Sequence, residues 1–291
     1  MAHVDEVERR ITLARHAVRA YAANPKVAAA LIGGSVARGL ADSSSDIELD
    51  VYWSSAPTTT DREAAVEGAG LGRVYAEEDE NEWADGLLVD GVKIDVSGFV
   101  TATIDDYLDR ALDGDTEAEL QVRVTALRDG IPLYGHDLID AWHDRVADYP
   151  EALAVAMVES GLDLRSRERL EMLADRDDVL LLHRDLLDDV QGVLDALFGV
   201  NRVWMPHPFH KWLDWEATLL THVPHRLVER IRALLVASPH EAVAAMVALV
   251  EETYDLALEH VPGADVTPLR AAFELRRVVE PGTREGPTLR G

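Results

Sequence analysis

The sequence predicts an α+β protein, a small mixed β-sheet followed by an all-helical bundle. Three observations predict it. Strand-like apolar stretches occur only before about residue 100, at 27–32, 47–53, 72–77, 83–89 and 92–99. Beyond Thr103 the apolar residues recur at helical spacing almost to the end. Finally, the punctuation changes between the two parts: Gly-Gly and Asp-Gly turns separate the early strands, and capping residues separate the later helices. The expected division is 1–115 for the sheet domain, 116–280 for the bundle and 281–291 for a disordered Gly/Pro-rich tail.

Each element has a local reason. Val4, Val7, Ile11, Ala14, Val18 and Tyr21 form one face of a helix over 4–23, which Asn24-Pro25 stops. The strand 27–32 runs into Gly33-Gly34-Ser35, and Asp46-Ile47-Glu48 opens the next apolar stretch. A Pro/Thr loop leads to a helix from Asp61 to about Gly68. Val89-Asp90-Gly91-Val92 carries the Asp-Gly pair of a tight hairpin. Thr103-Ile104-Asp105-Asp106 starts the first bundle helix, and further helices are expected at 116–128, 137–148, 151–174, 178–200, 209–221, 224–236, 239–260 and 267–279. Ser238-Pro239-His240-Glu241 is a capping box with Pro in the first helical position.

Composition excludes several classes. No apolar run reaches membrane-spanning length, and MAHVDEVERR lacks the hydrophobic region of a signal peptide, so a cytoplasmic protein without a membrane partner is expected. Zero cysteines exclude disulfides, thiolate metal sites and a catalytic thiol. The net charge is −26, with 28 basic residues against 54 acidic ones and no basic run. A protein gripping a nucleic-acid backbone needs a basic stripe, so nucleic acid is disfavoured as a partner. An acidic surface instead concentrates cations at its clefts. Nothing in the composition opposes a homodimer.

The window 27–53 carries the chemistry. A glycine pair lets backbone N–H groups approach a phosphate with no Cβ in the way, and the N-terminus of the following helix favours negative charge. Gly33, Gly34 and Ser35 are therefore candidate phosphate ligands, with Arg38 as a charge partner. Residues two apart in a strand face the same side, so Asp46 and Glu48 point together. Two carboxylates opposite a phosphate cradle make a divalent-metal site that the substrate's phosphates complete. The plain alternative is a turn followed by solvated strand acids.

The order Gly-Ser, spacer, Asp-x-Glu resembles the nucleotidyltransferase superfamily of DNA polymerase β. That resemblance implies a third carboxylate on a later strand, which Asp95 in Val92-Lys93-Ile94-Asp95-Val96 supplies. SDIELDVYW (45–53), VKIDVSGF (92–99) and LLDDVQGVLDALFGVNRVWMP (186–206) resemble the kanamycin-type aminoglycoside nucleotidyltransferases. The segment 194–213 also resembles uncharacterised actinobacterial nucleotidyltransferase-domain proteins. The resemblance implies transfer of AMP from ATP to a hydroxyl of a small, cationic acceptor such as an aminoglycoside-like antibiotic. It implies two Mg²⁺ ions held by Asp46, Glu48 and Asp95, and release of pyrophosphate. The alternatives are a toxin–antitoxin type enzyme that modifies a protein or tRNA, and a degenerate nucleotide-binding sensor.

In the resembled enzymes a carboxylate of the helical domain activates the acceptor. Here AVAMVESGLDLRSRERL (154–170) offers Glu159 and Asp163, expected at i, i+4 on one helix face, and either can be the base. Arg165 and Arg167 are phosphate candidates or ordinary surface arginines. His207, His210, His222 and His225 lack the spacing of a zinc site. Trp204, Trp212 and Trp215 suit a core better than a stacking platform. Asp185, Asp188 and Asp189 are either a solvated helix face or the lining of an acidic cleft.

Overall fold

The computed structural model describes residues 2–79 and 82–276, so the expected disordered tail lies outside the described residues. The fold is α+β, with a mixed sheet and a large helical part. Six strands form the sheet: β1 (Val27–Ile32), β2 (Ile47–Trp53), β3 (Gly72–Asp79), β4 (Glu82–Val89), β5 (Val92–Val100) and β6 (Ile131–Tyr134). Their spatial order is β3-β4-β5-β2-β1-β6. Only β2 and β5 run parallel; every other neighbouring pair is antiparallel.

Alternation along β2 decides what each face of the sheet does. Ile47, Leu49, Val51 and Trp53 are buried in a core that includes Ile11, Ala14 and Val18 of α1 (Ala2–Tyr21) and Ala65 and Val66 of α3 (Thr59–Gly68). Each such aliphatic side chain contributes roughly 1.5–3 kcal/mol by leaving water. The α3 start is held by a capping box between Thr58 and Asp61, and Lys26 Nζ lies 2.7 Å from Asp61 Oδ2. On the other face stand Glu48, Asp50 and Tyr52, covered in part by α5 (Ala118–Asp129) and α6 (His136–Arg145). The hairpin at Asp90-Gly91 forms as expected, both residues adopting positive φ (48° and 76°).

The chain forms two compact units, which part elsewhere than at the expected boundary near 115. One runs to Met157 and takes in Phe198–Thr221; the other comprises Val158–Leu197 and the described residues from His222 on. The sheet unit continues past 115 because α4 (Thr101–Leu112), α5 and α6 pack with it and β6 pairs with β1. This sixth strand is absent from the sequence reading. It is four residues long, contains Pro132, and sits on the sheet edge, where a proline is tolerated.

Two expected helices are corrected. The helix expected over 151–174 is two, α7 (Glu151–Gly161) and α8 (Arg167–Asp175), with Ser166 capping the second through its bond from the Arg169 N–H. The break follows the close approach of Gly161 to Gly192 of α9 (Val179–Asn201): a Cβ on Gly161 would fall 2.5 Å from the Gly192 carbonyl oxygen. The helix expected over 209–221 shrinks to α10 (Leu213–Thr218), because His210 and Trp212 hold φ of 46° and 70°, which a right-handed helix does not admit. His210 is buried against the Phe198 ring and its Nδ1 lies 3.0 Å from Glu216 Oε2, so it serves the core. The remaining helices are α11 (Leu227–Leu234), α12 (Pro239–His260) with its Ser238/Glu241 capping box, and α13 (Val266–Glu274). Among the described residues no helix is long and apolar enough to cross a membrane.

Candidate active site

Parallel pairing of β2 with β5 sets Glu48 directly beside Asp95, and Asp50 beside Ser97. Asp46 lies just ahead of β2, exposed, and Lys93 lies two residues before Asp95 on the same face. The Lys93 ammonium stands between the two: Nζ is 2.8 Å from Asp95 Oδ1 and 3.9 Å from Asp46 Oδ2. Its pKa is raised, first by the hydrogen bond to Asp95, so it is charged at neutral pH. Tyr75 reaches the same carboxylate from two strands away and donates its hydroxyl to Asp95 Oδ1 at 2.6 Å. The path is open because Gly86 of β4, between them, has no side chain; a Cβ there would meet the Tyr75 ring at 2.1 Å.

The glycine loop sits against this face. The Gly33 N–H is committed to the Glu48 carbonyl at 2.9 Å, so Gly33 joins β1 to the short helix α2 (Gly34–Ala37) and has no amide to offer a phosphate. The expectation for Gly33 is corrected accordingly. Gly34 and Ser35 begin α2, where amides have no preceding helical carbonyl to bond. Gly34 has φ of +57°, and the Glu48 carboxylate lies over its backbone. Arg38, expected to meet a phosphate, is already engaged: it donates to the Pro206 carbonyl at 3.1 Å, lies 3.5 Å from Asp129 Oδ2, and its guanidinium sits over the Trp215 ring at 5.4 Å.

Gly34, Arg38, Glu48, Asp50, Asp95 and His207 line one cavity of about 300 Å³. Asp50 is buried at its floor. Burial pushes its pKa up, Arg123 of α5 pulls it down from 3.5 Å, and Glu48 pushes it up again. The Tyr52 hydroxyl donates to it at 3.3 Å. His207 has its pKa lowered by burial and by Lys211 and Arg38. Its Nδ1 accepts the Phe209 N–H at 3.2 Å, which leaves the neutral ring presenting Nε2–H as a donor.

Asp50, Lys93, Tyr75, Arg123 and His207 are thus additions to the sequence reading. Two had a local signal. Asp50 continues the period-two series Asp46, Glu48, and Lys93 precedes Asp95 by the same step. Tyr75, Arg123 and His207 reach the site through pairing and packing that no local pattern announces.

The donors suit a hard divalent cation, since carboxylate oxygens are what Mg²⁺ prefers. Among the described residues, however, no three acids or histidines come close enough to hold a metal ion by themselves. Glu48 rests on Gly34, and Asp95 is held by Lys93 and Tyr75. The residues fit an ion whose remaining ligands arrive with a phosphate-bearing substrate, which is how Mg²⁺ is commonly bound.

Glu159 and Asp163 belong to the second unit. They do not share a helix face, because α7 ends at Gly161 and Asp163 lies beyond it. Glu159 Oε1 accepts the Asp265 N–H at 2.8 Å and so holds the start of α13. Asp163 is exposed. Asp185, Asp188 and Asp189 are gathered around Arg165, at 3.1, 2.8 and 3.6 Å, and Asp185 is also bonded by Arg169. Asp185 and Asp189 are buried while Asp188 is exposed, so the cluster is a partly buried ion network that reaches solvent at Asp188.

A domain of unknown function, DUF4037, matches residues 121–213. No curated protein matches the chain. Among solved structures, the nucleotidyltransferase-like protein from Exiguobacterium sibiricum 255-15 is similar over 84% of this chain and 77% of that one, with 12% identity and a TM-score of 0.43.

Proposed function

We propose that this protein is a Mg²⁺-dependent nucleotidyltransferase that moves a nucleoside monophosphate, AMP from ATP, to a hydroxyl of a small acceptor and releases pyrophosphate. The observation that carries this reading is the register of Glu48 with Asp95 beside the Gly34 loop, with Asp46 at the same edge. Carboxylates on adjacent strands beside the first amides of a short helix are what binding a cation–triphosphate pair requires.

In the proposed reaction the acceptor oxygen attacks the α-phosphorus, the bond from that phosphorus to the pyrophosphate oxygen breaks, and the acceptor proton passes to a base. Gly34 and Ser35 amides hold the phosphates, and His207 Nε2–H is a further donor at the cavity wall. Asp46, Glu48 and Asp95 would hold Mg²⁺. Bound there, the ion would neutralise developing phosphate charge. What the chain itself supplies is alignment and fixed charge. Because Glu159 is committed to α13, Asp163 becomes the preferred base. The acidic surface favours a cationic acceptor, and an aminoglycoside-like antibiotic is the class proposed.

An acceptor screen with α-labelled nucleoside triphosphates tests this. Label should move to a hydroxyl compound with equimolar pyrophosphate release. Absence of nucleotide binding in the presence of Mg²⁺, with no transfer to any acceptor, would remove the reading.

A further inference from the structure

We propose that Lys93 is the resident cation of this face and occupies the place a second divalent ion would need, so that the site works with one divalent ion. The inference rests on the nucleotidyl-transfer reading above. Three contacts hold the ammonium: Asp95 at 2.8 Å, Asp46 at 3.9 Å, and the face of the Tyr75 ring at 5.4 Å from its centroid. A second cation between Asp46 and Asp95 would compete with this ammonium for the same carboxylates.

Charge and geometry agree with that assignment. Two free acids at this edge would repel each other across the strands, and an ammonium between them removes the repulsion. A compact, strongly hydrated point charge resembles a small metal ion more closely than a planar guanidinium does. Tyr75 orients the arrangement, since its hydroxyl takes the same Asp95 oxygen that Lys93 contacts and its ring lies beside the ammonium. Asp95 is therefore held at a defined position without an ion. Glu48 lies over Gly34, on the side where the triphosphate would bring the one exchangeable ion.

The test counts bound Mn²⁺ by equilibrium dialysis and by electron paramagnetic resonance, with a non-hydrolysable α,β-methylene ATP analogue at saturation. The wild-type protein should bind one Mn²⁺ per chain with an uncoupled spectrum. Lys93→Met should bind two, with the dipolar coupling of a close pair, and Lys93→Met combined with Asp95→Asn should return to one. Lys93→Arg should stay at one. Lys93 is partly exposed, so these variants are expected to fold, and thermal melting checks it. Two coupled ions in the wild type, or a single ion in Lys93→Met, would overturn the assignment while leaving nucleotidyl transfer standing. Failure of the wild type to bind the analogue at all would overturn both.

Discussion

The Glu48 carboxylate lies over the backbone of Gly34, so close that a Cβ added at position 34 would fall 1.0 Å from Glu48 Oε2. The candidate metal ligand and the candidate phosphate loop are thereby one unit, and a single methyl group at Gly34 acts on both.

Gly34→Ala follows directly. The positive φ costs an alanine about 1–2 kcal/mol, and the far end of a flexible Glu side chain can swing aside, so the fold should survive. Nucleotide affinity in the presence of Mg²⁺ should nevertheless fall at least 10-fold, because the carboxylate is displaced and the loop amides are covered. Calorimetric titration of the nucleotide checks this. Unchanged affinity in a folded Gly34→Ala variant would detach the loop from the site.

The second prediction concerns the partly buried ion network. Asp189 is fully buried, and the Arg165 guanidinium approaches it only to 3.6 Å. Burial raises its pKa to about 7, with Arg165 opposing. Below about pH 4 both folded and unfolded chains hold this proton, and its contribution to stability is complete. As pH rises, the unfolded chain releases the proton first, so that stability is lost progressively until the pH passes about 7. The loss approaches ~4 kcal/mol for a shift of this size. Asp189→Asn should flatten the slope of Tm against pH between 4 and 8, measured by scanning calorimetry. A parallel slope in the variant would place the pH dependence on other groups.

How much of this was legible in the chain depends on the range of the interaction. Gly34, Asp46 and Glu48 could be read because a turn, a strand edge and a period of two are local properties. The resemblance added Asp95, and the structure sets it in register with Glu48. Tyr75 could not be read, since its reach to Asp95 two strands away depends on Gly86 being its partner on the strand between. Arg123 arrives from a helix, and His207 from the link after α9. The helix break lies at Gly161, which approaches Gly192, thirty-one residues away in sequence, a contact that no local pattern announces.

The two acids once placed on one helix face now separate. Glu159→Ala removes a bond that fixes the start of α13, so it should lower stability by about 1 kcal/mol and leave the chemical step intact. Asp163→Asn should leave stability unchanged and, as loss of a general base, lower turnover about 10²–10⁴-fold with nucleotide affinity preserved. Comparing kcat and Tm for both variants decides between them. A neutral Asp163→Asn would move the base elsewhere.

In the proposed reaction nucleotidyl transfer occurs on the face shared by Asp46, Glu48 and Asp95. The most direct measurement is transfer of α-labelled phosphate from ATP to an acceptor hydroxyl, with pyrophosphate counted in the same reaction, in the wild type and in Asp46→Asn and Glu48→Gln. The wild type should release one pyrophosphate per label transferred. Each variant should lose transfer by several orders of magnitude while keeping the wild-type Tm, since both side chains are exposed and lie outside the core. Folded Asp46→Asn and Glu48→Gln proteins that retain most of their turnover would contradict it.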